Sequence, residues 1–384
     1  MGFAPANSPA REIDIITYIN VIIGAAQNRR PETKIMSPLV LSLWAGLAIG
    51  AAFGVTVQRT GFCLNSAFRG ALVSGDNRKL ASFGLAMAIA VLSTQALEAS
   101  GLIDLKRSIY LSTPSSWLVV PLGGALFGYG MIAANGCGPR ALVLLGQGNL
   151  RSFLVLLCLG IAAFAALSGI FAPVRTALAA PTTLVFEKLP SVPRYLEASL
   201  GAGAARLLPA AVLSLVLAGL AFRSAAFRAS PRDIVGGVAV GLLIAAGWFA
   251  TGYLGQDEFE PAPVASLTFI APVGETIQYA MFATGARMTF GIAVVCGVFL
   301  GSLVSALATR SYELQSFSRP TQMLRYMAGG TLMGLGGAMA LGCSIGQALT
   351  GFSTLAFGSF LAGAGIVIGS TLALRGPLRL PPLS

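Results

Sequence analysis

Apolar runs of about 18 to 22 residues recur along this chain from Leu39 to Leu374, each long enough to cross a hydrocarbon core of roughly 30 Å. With 55% hydrophobic and 10% charged residues, there is too little polar surface to clothe such runs in water. An integral membrane protein is the consequence. Backbone groups in lipid must be satisfied within the segment, so the expected fold is all-α, a polytopic membrane helical bundle.

One stretch occurs twice. Residues 123–137 return 206 positions later as 329–343, and eight of the fifteen aligned positions are identical, including the closing Cys137 and Cys343. A duplicated unit is therefore expected. Its first copy lies in a repeat over 39–171 and its second in a repeat over 265–375. Between them, 172–264 is a connecting segment carrying two extra spans at about 206–222 and 232–252 that have no counterpart in the repeat. Residues 1–38 form an N-terminal extension in which Ile15, Ile16, Ile19, Ile22 and Ile23 share one face of an interfacial helix, and 376–384 form a tail. Asp14 and Asn20 interrupt the apolar patch there, so no signal peptide is expected.

Two apolar segments are broken by polar residues. Gln58 and Arg59 open a polar run after the first span, and Glu275, Gln278 and Arg287 interrupt 265–288. Polar backbone at this depth belongs inside the bundle, so both 39–73 and 265–288 are expected to be broken or re-entrant helices. If each returns to the side it entered from, the basic groups at Arg78-Lys79, Arg140 to Arg151, Arg223 to Arg232, Arg310 to Arg325 and Arg375 to Arg379 share one face. The acidic Asp257, Glu258 and Glu260 fall on the other, and both termini are cytoplasmic. The two copies then run in opposite directions, an internal inverted repeat of the kind that places a transport path at interrupted helices.

The formal charge is +11 with no histidine. Part of that charge is cytoplasmic anchoring and part favours an anionic substrate. Lipid is an expected partner and nucleic acid is not. Without histidine there are no imidazole metal ligands or histidine-based triads, and no metal or cofactor is expected.

Of five cysteines, Cys158 and Cys296 lie in smooth apolar helix and read as packing. Cys63, Cys137 and Cys343 each sit in a glycine-rich polar break, as Gly61-Phe62-Cys63, Gly136-Cys137-Gly138-Pro139-Arg140 and Gly342-Cys343-Ser344. Glycine beside a thiol admits a ligand or another backbone. Arg59, Arg69, Arg140 and Arg287 are candidates to attract an anion. Gln58, Asn65 and Gln347 are candidate amide donors, and Glu275 is a costly intramembrane acid able to pair Arg287 or carry a proton.

These breaks resemble the cysteine motifs of the YeeE/YedE sulphur-transport membrane proteins over roughly residues 40–375. The resemblance implies a bacterial inner-membrane transporter, not an enzyme, that takes up thiosulfate or a closely related sulfur-containing anion. It implies that Cys63, Cys137 and Cys343 line a constriction and hand the ion on by S–H hydrogen bonds, and it leaves room for a cytoplasmic sulfur-relay partner protein. The N-terminal extension and the wide 172–205 connection depart from the family pattern. The competing reading of the same cysteines is a membrane sulfurtransferase or redox protein in which one thiol, such as Cys137 near Arg140, takes a persulfide.

Overall fold

A computed structural model describes residues 37–112, 115–183, 190–257 and 263–381. The interfacial helix expected within 13–23, and Glu258 and Glu260 of the acidic loop, lie outside the described residues.

The described chain is helical throughout its ordered elements. In order, the helices that matter here are α1 (Pro38–Thr60), α2 (Leu64–Arg69), α3 (Arg78–Ala99), α4 (Val119–Ala133), α5 (Gly138–Gly146) and α6 (Leu150–Leu167). There follow α7 (Ala202–Arg223), α8 (Pro231–Phe249), α9 (Ile270–Phe282), α10 (Phe290–Ala308), α11 (Pro320–Met339) and α12 (Phe357–Leu374). Local signals set their starts: Pro231 and Pro320 open α8 and α11, where a missing N–H costs nothing. Asn149 and Thr289 accept from the N–H groups of Arg151 and Ile292 to cap α6 and α10. Eight helices among the described residues are long and apolar enough to cross a membrane. α11, less apolar, packs lengthwise between α4 and α6 as a further crossing helix.

Glycine contacts fix the helix directions. α1 is parallel to α10, with Gly46 on Phe290, Gly50 on Val294 and Gly54 on Val298. α3 is parallel to α8, with Ser82 on Gly237 and Ala86 on Gly241. The duplicated stretches make matching contacts: Gly124 and Gly128 of α4 press on Ala362 and Ile366 of α12, and Gly330 and Gly334 of α11 press on Val155 and Leu159 of α6. A methyl group at any of these glycines would overlap a backbone carbonyl, or at Gly46 the Phe290 ring, which is why small residues stand at the crossing. Other pairs are antiparallel. Gly123 and Gly130 of α4 meet Gly336 and Gly329 of α11, while Thr60 and Ser42 of α1 meet Gly236 near the start of α8 and Gly255 six residues past its end.

The expected turn-back of 39–73 is corrected by these contacts. α1, about 34 Å long at a rise of 1.5 Å per residue, crosses alongside α10, and Gln58 at its far end donates to Ser311 beyond the end of α10 at 3.0 Å. Only then does the chain pass through α2 and return as α3. The polar run from Gln58 marks the end of a span. By contrast, α9 has 13 residues, or about 20 Å, too short to cross. Pro272 touches Gly291, and Thr289 donates to Glu275 at 2.9 Å, so this segment ends close to where it began.

The end of α1 and the starts of α3, α6, α8 and α11 share one face. Lys79 pairs with Asp233 at 2.6 Å, Asn149 donates to Gln315 at 3.0 Å, and Arg325 donates to the Pro381 carbonyl at 2.6 Å. The described chain thus enters at Pro38 on one face and ends at Pro381 on the other. The two termini, expected on one side, lie outside the described residues.

Candidate functional site

Both copies of the duplicated stretch end in the same turn. Asn135 and Leu341 adopt left-handed backbone, with φ of 57° and 58°. The next residue closes the turn, Gly136 N–H donating to the Met131 carbonyl at 3.0 Å and Gly342 N–H to the Gly337 carbonyl at 2.9 Å. Asparagine adopts that conformation at less cost than leucine, so the turn of the second copy is the more strained of the two. Each turn ends α4 or α11 inside the bundle and presents the following cysteine. Cys137 then takes extended backbone as the N-cap of α5, as Cys63 does for α2.

The three thiols are buried, at 5%, 3% and 0% exposure for Cys63, Cys137 and Cys343. Cys63 and Cys137 face one another at interaction distance, and the Ser344 hydroxyl faces Cys137 from the second copy. Cys343 accepts from the Gly346 N–H at 3.2 Å and has the Tyr110 ring for a neighbour. Cysteines separated by up to 280 positions thereby share one buried neighbourhood, Cys63 against Cys137, and Cys137 against the Ser344 that follows Cys343. Cys158 and Cys296 stand apart from it, half-buried in α6 and α10, and all five thiols are free.

Beyond Cys343 the interior is polar but unpaired. The Tyr110, Ser344 and Ser359 hydroxyls and the Gln347 Oε1 are buried without a hydrogen-bond partner among the described residues. Tyr110, Gln347 and Ser359 converge where a Cβ on Gly351 would meet all three, and Thr268 and Tyr110 converge in the same way on Gly346. An unpaired buried polar group costs about 1–3 kcal/mol. A cluster of them is chemically suited to receive a polar ligand.

The other sequence candidates divide. Arg140 lies beside Cys63 and donates to the Val57 carbonyl at 3.3 Å. Gln58 and Arg59 turn away from the thiols toward α10, bonding Ser311 and Ser305, and open with Arg232 into a separate cavity at the basic face. Arg69 accepts the role of a strut: it donates to Asn65 Oδ1 at 3.3 Å and to the Ile132 carbonyl at 3.0 Å, which ties α2 to the last turn of α4. Gln347 donates its amide to the Ala340 carbonyl. Glu275 serves the turn before α10, and Arg287 is exposed in that same turn.

Sequence reasoning did not single out Tyr110, Ser344, Ser359, Thr268 or Lys79. Ser344 was signalled by its place next to Cys343. Tyr110 carries no local pattern, because its neighbours Gly346, Gly351 and Ser359 are more than two hundred positions away, and Ser359 stands in an apolar helix with nothing to set it apart.

Comparison with known proteins agrees in its coverage with the extent of this bundle. Residues 59–372 match the model of a family described as Sulphur transport. The chain is 28% identical over 347 residues to the protein named Thiosulfate transporter TsuA of Spirochaeta thermophila, covering 85% of this chain and 97% of that protein. It is 26% identical over 326 residues to the Thiosulfate transporter TsuA of Escherichia coli K12, covering 82% and 88% respectively.

Proposed function

The chain belongs to the sulphur-transport family, and on that premise we propose that it carries thiosulfate across the membrane past Cys63, Cys137 and Cys343. The observation that carries this reading is three buried thiols in one neighbourhood, beside the hydroxyls of Tyr110, Ser344 and Ser359, which make no well-formed hydrogen bond among the described residues. Thiosulfate is a dianion with a soft terminal sulfur and three oxygens. A neutral thiol donates weakly and releases easily, and the hydroxyls of Tyr110, Ser344 and Ser359 suit the oxygens. Arg140 lies beside Cys63, where it attracts the ion without ringing it with charge. Strong pairing at every step would trap it.

The two halves we read as an inverted repeat. In support, α4 and α11 cross antiparallel, and each lies parallel to the last helix of the other half. α1 and α8 cross in the same manner, so the second repeat is drawn to begin at Pro231 in place of residue 265. The basic face is assigned to the cytoplasm, with the C-terminal end of the chain and the Arg59, Arg232 cavity on that side. Such a face suits a cytoplasmic sulfur-relay partner.

Purified protein in liposomes, given radiolabelled thiosulfate, tests the reading. Uptake that is lost in each of Cys63→Ala, Cys137→Ala and Cys343→Ala and kept in Cys158→Ala and Cys296→Ala is the expected result. Equal tolerance at all five positions contradicts it.

A further inference from the structure

Lys79, in the first turn of α3, places its ammonium between two oxygens of different helices. It donates to the Thr60 carbonyl at 2.6 Å and pairs with the Asp233 carboxylate at 2.6 Å. Asp233 is 5% exposed, its second oxygen accepts from the Ser230 hydroxyl at 2.7 Å, and its carbonyl accepts from Ser82 at 2.7 Å. α1, α3 and α8 meet at this point.

The carbonyl that Lys79 covers is three residues before Cys63. Gly61, next to it, turns with φ of 67°, and a Cβ there would lie 3.6 Å from the ammonium. A helix C-terminus carries about half a negative charge. Here that end is aimed at the turn bearing a thiol on the path of an anion. Two cations meet it: Lys79 on the Thr60 carbonyl, and Arg140 on the Val57 carbonyl at 3.3 Å. The ion pair is not required to hold α3 against α8, since Gly237 and Gly241 already seat those helices in close contact. Nor is a buried pair a gain in stability over apolar residues, because its desolvation offsets the attraction.

We propose that Lys79, oriented by Asp233, is a positioning residue for passage at Cys63: it neutralises the carbonyl end of α1 and holds the Gly61-Phe62-Cys63 turn. The proposal rests on the reading of Cys63 as part of the thiosulfate path. It implies a lower barrier at one internal step, not tighter capture at the entrance. Removing the ammonium therefore lowers the maximal rate and leaves half-saturation nearly alone.

The test uses the full chain in liposomes, with uptake normalised to folded protein, and the modification rate of Cys63 by methyl methanethiosulfonate read by peptide mass spectrometry. Lys79→Met is expected to lower the maximal uptake rate about tenfold and change half-saturation less than about twofold. It also speeds modification of Cys63, while Lys79→Arg restores most of the rate. The double variant Lys79→Met, Asp233→Leu removes the unpaired acid, so it restores folded yield if Lys79→Met folds poorly, and it is still expected to be slow. A wild-type rate in either variant, or Lys79→Arg no better than Lys79→Met, overturns the proposal while Cys63→Ala remains inactive. A fully active Cys63→Ala removes the path reading itself, and the proposal with it.

Discussion

The turns that end α4 and α11 share a backbone and differ in almost everything attached to it. Asn135-Gly136-Cys137 and Leu341-Gly342-Cys343 have the same left-handed residue and the same closing hydrogen bond. Yet Cys137 faces a second thiol beside Arg140, while Cys343 faces Tyr110 and a group of unpaired oxygens. Duplication set the helix breaks, and side chains from elsewhere in the chain made one break soft and thiol-rich and the other rich in hydroxyls. The surroundings of the two cysteines are asymmetric within a paired framework. An ion with one sulfur end and one oxygen end suits such surroundings better than a symmetric oxyanion does.

Breaking either side of this comparison has graded consequences. The largest effect is expected from the thiols: alanine at Cys63, Cys137 or Cys343 abolishes thiosulfate uptake in liposomes, and alanine at Cys158 or Cys296 leaves it unchanged. Next come the shared crossings. Gly128→Val and Gly334→Val each drive a side chain into a carbonyl, of Ile366 and of Leu159. Each is expected to cost about 3 kcal/mol, seen as loss of monodisperse folded protein. Near-equal losses fit matched copies, and a large difference between the two would break the comparison.

A smaller and oppositely signed pair of effects is expected at the turns. Asn135→Leu forces a branched residue into left-handed backbone and lowers stability by about 1 kcal/mol. Leu341→Asn relieves that conformation and is stabilising by a similar amount, less whatever the half-buried leucine contributes to packing. Thermal unfolding in detergent reads both signs.

Tyr110→Phe and Ser359→Ala sharpen the hydroxyl side. Each deletes a buried hydroxyl that has no hydrogen-bond partner among the described residues, so neither should lower stability, and deletion gains back part of the desolvation cost. Uptake of thiosulfate is expected to fall severalfold in each, roughly the loss of one hydrogen bond of about 1 kcal/mol. Stability that falls while uptake holds would remove these hydroxyls from the path.

Much of this was written in local sequence. The apolar runs gave the crossing helices within a few residues, and the glycine-flanked cysteines marked the three thiols that come together. What failed was the meaning of single polar residues near a span. Gln58 and Arg59 read the same whether a helix has reached the headgroups or turned back, and only the partner helix α10, some 250 positions on, decides it. The same limit hid α8 as the antiparallel partner of α1, since the two share glycine spacing but little sequence. Tyr110, Ser359 and Lys79 became visible only through neighbours brought in by the fold.

The central claim is that the thiols pass the ion along without chemical change. Radiolabelled thiosulfate uptake in liposomes, followed over many turnovers and ended by intact-mass measurement of the same protein, tests it most directly. Sustained uptake with every cysteine at its original mass is the predicted result. A stoichiometric gain of one sulfur atom on Cys63, Cys137 or Cys343, with uptake stopping after a single turnover, would contradict it and identify the protein as a sulfurtransferase.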